Sequence, residues 1–339
     1  MKNIYITVDL ECHDIVHRNQ YIEGKYKNGV CGLEHILRLG KELNIPINFF
    51  FDMVEAKEYG EEYAKDIIEL IHKYNQHVYL HLHPDYVSGD HEKSFFWQYN
   101  YQDKKEILQY GFDLFQRLLG HEPKAFRIGR YGADEEMYDA MKEMGISLVD
   151  LSYSSGSSKM CHLGRDTAKV DNAIIRFKGQ TLFPNTRYRA IQFGRKSKLI
   201  NLDTNDSTFN EYRRFLDKNE LGQITLTMHS WNFIKKYFFS KNYVSLDKRA
   251  EKKFRKMISY GKKKGYVFSD FTENPPVVGK ERDQVIDLCT GLSGKVQMLC
   301  NNFLRFQKIG RLNKKYFAVY AIFYILIILI CIAVIWNMR

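Results

Sequence analysis

A chain of 339 residues, 45% hydrophobic and 27% charged, can bury one large core or two modest ones, which excludes disorder for its bulk. The net charge of +11 points to an anionic partner, whether nucleic acid, membrane surface or phosphorylated substrate, without choosing among them. Six cysteines without a CxxC spacing exclude a zinc ribbon and a disulfide framework, and fit reduced thiols in the cytosol.

The chain enters its first strand almost at once, so no signal peptide is expected at this end. From Asn3 to His13, Ile4, Ile6 and Val8 alternate with Tyr5, Thr7 and Asp9, the pattern of a strand buried on both faces. Asp9 and Glu11 stand at its end and, at period two, project to one side. Carboxylates held beside a packed sheet are costly unless paired, hydrogen-bonded or bound to a cation.

Val30 to Asn44 has helical spacing, Pro46 to Asp52 is strand-like, and Glu61 to Tyr74 is helical with Tyr63, Ile67, Ile68 and Ile71 on one face. Strand Val78 to Leu82, helix Lys104 to Leu119, strand Ala125 to Ile128, helix Asp134 to Met144 and strand Ser147 to Leu151 follow. This alternation predicts an α/β fold with a parallel sheet and sites at the carboxyl ends of its strands. Ser152 to Asn201 is less regular, with room for antiparallel or loop insertions. Gln223 to His229 reads as a strand, Leu246 to Lys263 as a basic amphipathic helix, and Gly265 to Phe271 as a last strand.

Asn274-Pro275-Pro276 breaks the pattern, so residues 1–272 form the expected catalytic domain and residues 273–315 a linker. Within that linker, Val296, Leu299, Cys300 and Phe303 share one helical stripe and Lys308, Arg311 and Lys315 another, as in an interfacial helix on an anionic leaflet. Residues 316–336 are expected to be a transmembrane helix, because Phe317 to Trp336 carries no charge and reaches about 30 Å. Arg311, Lys314 and Lys315 precede that span and only Arg339 follows it, which places the catalytic part on the cytoplasmic face of the inner membrane, anchored by a single pass. A membrane, and no nucleic acid, is the expected macromolecular partner.

Chemistry gathers at the strand ends. His81 and His83, at i and i+2 on an extended chain, point to one side; with Glu11 they offer two imidazoles and one carboxylate, leaving positions open for water. Asp9 is then free to take a proton from that water. Arg127 and Tyr131 follow the fourth strand, Asp150 and Ser152 the fifth, and His229 and Trp231 a later one. An arginine beside a carboxylate keeps it ionised, and a histidine across from a metal can protonate a leaving group.

The order of these pieces resembles the polysaccharide deacetylases with a NodB homology domain, carbohydrate esterase family four. The motifs are Thr7 to Glu11, His81-Leu82-His83-Pro84, Phe126-Arg127 through Tyr131-Gly132, Asp150-Leu151-Ser152 and His229-Ser230-Trp231, and the resemblance covers about residues 1 to 272. It implies a distorted (β/α) barrel and metal-dependent removal of an acetyl group from an acetylated saccharide. In that scheme Asp9 is the base, His229 the acid and Arg127 the residue that orients Asp9. Glu11, His81 and His83 hold a divalent ion, zinc foremost, and Tyr131, Asp150 and Trp231 line the substrate site.

Two departures stand out. Leu10 separates the two acids, and the common HxxxH spacing would reach Asp85 or His77 instead of His83. Shared face and ligand chemistry favour His83, with Asp85, His77 and His13 as alternatives. The cytoplasmic orientation favours a lipid-linked or nucleotide-linked sugar over a secreted polymer. A non-sugar N-acyl substrate, or a membrane-tethered carbohydrate-binding or scaffold protein without catalysis, are the competing expectations.

Overall fold

The structure is a computed structural model that describes residues 2–12, 15–155, 160–163, 167–193, 196–237, 240–279, 283–290, 294–295, 297–298 and 300–302. Among the described residues no helix is long and apolar enough to cross a membrane. The expected span Phe317 to Trp336 lies outside them, as do His13 and the basic stripe of Lys308, Arg311 and Lys315.

Nine strands form the main sheet: β1 (Lys2–Leu10), β2 (Asn48–Asp52), β3 (His77–Leu82), β4 (Ala125–Ile128), β5 (Val149–Asp150), β6 (Ile175–Phe177), β7 (Gln180–Leu182), β8 (Gln223–His229) and β9 (Tyr266–Phe268). Their order is β8-β1-β2-β3-β4-β5-β7-β6, with β9 also on β1, and every pairing is parallel except β6 with β7. The parallel α/β architecture is therefore as expected, but the sheet is a curled half-barrel, not a ring. After β5 the chain folds back as the antiparallel β6-β7 pair where a further strand-helix unit would be needed to continue toward closure.

Helices α1 (Leu33–Leu43), α2 (Glu61–Lys73), α3 (Tyr101–Leu119), α4 (Glu135–Glu143), α5 (Phe209–Lys218) and α6 (Lys248–Lys263) complete the layers. The starts of α3 to α6 are set by side chains that accept from orphan amides: Asn100 from Asp103, Asp134 from Met137, Thr208 from Glu211 and Asp247 from Ala250. The buried Lys104 on α3 ties that helix to the start of α4 by pairing with Asp134 at 2.5 Å and Glu136 at 2.6 Å.

On β1 the two faces differ. Ile4, Ile6, Val8 and Leu10 are fully buried on one face, each such side chain contributing roughly 1.5–3 kcal/mol. The other face carries Tyr5, Thr7 and Asp9. Tyr5, Phe50, Tyr79, Phe183 and Phe271 form one buried aromatic cluster, with Tyr5 stacked on Phe271 at 4.9 Å. One period before Phe50 on β2, Asn48 closes the point where β1 exchanges β9 for β2 as its neighbour: its Nδ2 donates to the carbonyls of Ile6 and Ser269, and its Oδ1 accepts from the amide of Phe271.

The chain divides into two compact units, residues 1–188 with 199–286, and residues 189–198 with 287–339. The first holds the main sheet. In the second, the Arg189 carbonyl accepts from Leu288 and its guanidinium pairs with Asp287 at 3.1 Å.

Candidate metal centre and catalytic groups

Parallel pairing brings the carboxyl ends of five strands level. Asp9 stands opposite His229, Asp52 opposite His81, and His81 opposite Arg127. Glu11 continues one period past Asp9, and His83 one period past His81. Glu11, His81 and His83 each present a ligand atom within 4.8 Å of the others, and all three are buried. Glu11 Oε2 lies 2.8 Å from His83 Nε2 and 3.6 Å from His81 Nε2.

The supporting bonds favour ligation. His81 Nδ1 lies 2.9 Å from the Arg127 carbonyl, an acceptor only, so the proton sits on Nδ1 and the Nε2 lone pair faces Glu11. Burial lowers the His83 pKa, with the Glu11 charge pulling the other way, and a neutral imidazole is the form that binds metal. Beneath it, burial and then the charges of Glu55, Glu11 and Asp85 push Asp52 well above the ordinary carboxylate range. A buried oxygen and two ring nitrogens amid surplus carboxylate charge fit a divalent cation.

Asp9 is held differently. The Arg127 guanidinium bonds its Oδ1 through Nη1 and Thr7 Oγ1 through Nη2 at 3.0 Å. Burial acts to lower the Arg127 pKa, but Asp9 and Tyr131 outweigh it and the net direction is upward. The same guanidinium lies over the Phe50 ring at 4.6 Å, so aromatic and charged layers meet at this side chain.

Next to Arg127 runs the turn Gly129–Tyr131. Gly129 touches the metal group so closely that a Cβ there would lie 2.6 Å from His83 Cδ2. Arg130 and Tyr131 both have positive φ, 56° and 54°, backbone strain of the kind that functional loops store. The Tyr131 hydroxyl accepts from Asn185 Nδ2 at 3.2 Å.

His229 reaches the group from the far side, with Nε2 3.9 Å from Glu11 Oε1 and its side chain 31% exposed. Its ring stacks on Trp231 at 4.7 Å, and Trp231 meets the edge of Tyr21. Asp150, by contrast, does not line the opening. It is fully buried, accepts from Tyr138 Oη at 2.7 Å and from Ser152 Oγ at 2.6 Å, and Ser152 Oγ in turn accepts from the Ile128 amide. The expected substrate contact is thus a brace behind Arg127. Burial raises the Asp150 pKa to about 6.

Among the alternative ligands, His77 lies at the start of β3, four residues before His81, while Asp85 Oδ1 stops 3.8 Å from His83 Nδ1, on the ring edge away from Glu11. Sequence reasoning passed over Asp52 and Glu55. Asp52 ends β2 as Asp9 nears the end of β1, a repeat of strand-terminal acids that marks the same layer.

Comparison with protein-family models finds none that matches, and comparison with curated proteins finds no match. Solved structures do match. The chain is similar to a polysaccharide deacetylase from Bacillus cereus (14% identity over 80% of this chain and 93% of that one, TM-score 0.41) and to a family-four carbohydrate esterase from Streptomyces lividans in complex with acetate (10% identity, 84% and 98%, TM-score 0.42). It is also similar to a family-four pseudoenzyme from Bacillus anthracis (12% identity, 81% and 66%, TM-score 0.44). Two of these three are described as family-four proteins and the third as a polysaccharide deacetylase. The functional reading rests on the site's own residues.

Proposed function

We propose that the protein removes the acetyl group from an N-acetylated sugar by metal-dependent hydrolysis. The observation that carries this is the division of labour between two acids on one strand: Glu11 joins His81 and His83 in a ligand set, while Asp9, two residues earlier, is held by Arg127 and kept out of it.

A divalent ion, zinc favoured by the two imidazoles, would be held by Glu11, His81 and His83 and would supply Lewis-acid polarisation of the acyl oxygen and a more acidic water. The chain's own groups do the rest. Asp9 takes the proton of the attacking water, with Arg127 keeping the carboxylate ionised and aimed. His229, on the exposed side, delivers a proton to the departing amine. Backbone near the strained Tyr131 supports the developing oxyanion, and the Tyr131 and Trp231 rings offer faces for the sugar.

For location, the proposal remains a single-pass anchor in the cytoplasmic membrane with the catalytic domain inside, carried by the charge asymmetry about Phe317 to Trp336. A lipid-linked or nucleotide-linked amino sugar is the substrate class that such an arrangement meets, the anchor raising local concentration for a lipid-linked one.

The test is elemental analysis of the full chain in detergent, followed by acetate release from N-acetylglucosamine carried on a polyprenyl phosphate, on a nucleoside diphosphate and on a short oligosaccharide. Near-stoichiometric metal with acetate released from the first or second supports the reading. Acetate release only from a non-sugar N-acyl compound moves it to a different amidohydrolase. No metal after reconstitution would leave a carbohydrate-binding protein.

A further inference from the structure

We propose that Asp52 and Glu55 are positioning residues that fix the two backbone segments bearing the ligands, a role that rests on the metal reading above. Both come from the end of β2 and the single 3-10 turn Met53–Glu55 that follows it. Asp52 Oδ1 accepts from the backbone amide of His83 at 3.2 Å. Glu55 Oε1 accepts from the backbone amide of Cys12, next to Glu11, at 2.6 Å, and Glu55 Oε2 accepts from the Tyr63 hydroxyl at 2.7 Å. One short stretch therefore grips the chain at the ligand on β3 and beside the ligand on β1.

Position explains why side chains are needed. β1 ends at Leu10 and β3 at Leu82, so Cys12 and His83 lie past the last strand residue and beyond the ladder that fixes the rest of each strand. An amide there needs another acceptor if it is buried. Both carboxyl groups have no exposed surface, and burying them is costly without a compensating role. The carboxyl oxygen of Asp52 offers the His83 amide an acceptor, and the Glu55 bond to the Cys12 amide, at 2.6 Å, is short. Ligand-supporting groups of this kind commonly alter metal affinity about 10- to 100-fold when removed.

The experiment compares Asp52→Ala and Asp52→Asn, and Glu55→Ala and Glu55→Gln, in the full chain. Zinc affinity is read by chelator competition, and exchange of the His83 and Cys12 amides is read in the metal-free protein. The alanine variants should speed exchange at His83 and Cys12 respectively and weaken zinc about 10- to 100-fold. Asn and Gln, which keep a carbonyl acceptor, should restore most of both. Alanine variants that fold but hold zinc within twofold of the parent overturn the proposal, as does equal weakening by the alanine and the amide variants. A parent that takes up no zinc, while Asp52→Ala still frees the His83 amide, overturns the metal reading itself and reduces the struts to backbone supports.

Discussion

The inward faces of β1, β2 and β3 carry two layers of opposite character. The lower holds Tyr5, Phe50, Tyr79, Phe183 and Phe271, ring against ring. The upper holds Asp9, Glu11, Asp52, His81 and His83, with Arg127 at the boundary. On β2 and β3 the change takes one period, from Phe50 to Asp52 and from Tyr79 to His81. The aromatic layer packs ring on ring, its polar ends met by the Asn274 carbonyl at 2.8 Å from the Tyr5 hydroxyl and by Thr272 at 3.0 Å from that of Tyr79. The charged layer is held in shape from below and by specific bonds, so a rigid floor lets costly groups sit where chemistry requires them.

Substitutions can break this contrast to different degrees. Asp9→Asn should lower kcat about 10²- to 10⁴-fold while metal content stays at the parent level, whereas His81→Ala should lose both; steady-state kinetics beside elemental analysis decides. Turnover by Asp9→Asn at the parent rate would remove the assigned base. Next comes Arg127→Met, which strips Asp9 of its buried partner and should cost about 3–5 kcal/mol in denaturant unfolding. Gly129→Ala drives a Cβ into the His83 ring and should destabilise by about 1–3 kcal/mol, with weaker metal binding as the more telling readout.

Two smaller effects test the supports. Burial raises Asp150 in the fold to about 6, so the native state binds its proton more tightly than the unfolded chain does, and this group's contribution falls as pH rises from about 4 to 6. Asp150→Asn should remove that component, changing the stability-pH slope by at most about 1.4 kcal/mol per pH unit in a series of denaturation curves. Tyr79→Phe deletes the hydroxyl bonded to Thr272 and to the Phe271 amide and should cost about 0.5–1.5 kcal/mol without moving zinc affinity. A shift in affinity there would show that the two layers are coupled.

Period was the informative signal in the sequence. It marked β4 at Ala125 to Ile128 and β8 at Gln223 to His229 and located the other main strands up to β5, and β9, within a few residues, because each is a buried run bounded by polar turns. It also put Glu11, His81 and His83 on common faces, which is why the ligand set could be read without a spacing that matches the usual HxxxH. Other features depend on contacts between distant segments. Nothing local in Asp150 shows that Tyr138 and Ser152 saturate it, and nothing local in Asp52 shows that its acceptor serves an amide 31 residues away. Helix α5, with its Thr208 and Glu211 capping box, was legible in principle and was passed over amid the irregular stretch before it.

The position of β1 has a kinetic consequence. This strand, residues 2–10, is bordered by residues 223–229 on one side and by residues 266–268 and 48–52 on the other. The β1 end of the sheet thus waits for segments more than 200 residues downstream, and long-range parallel pairing is slow to form. During synthesis the first strand must remain unpaired on one edge until the strand ending in His229 has emerged, exposing an apolar ribbon that is prone to wrong partners. Asp9 and His229 can face each other only once that late pairing is made, so catalytic competence and completion of the fold arrive together.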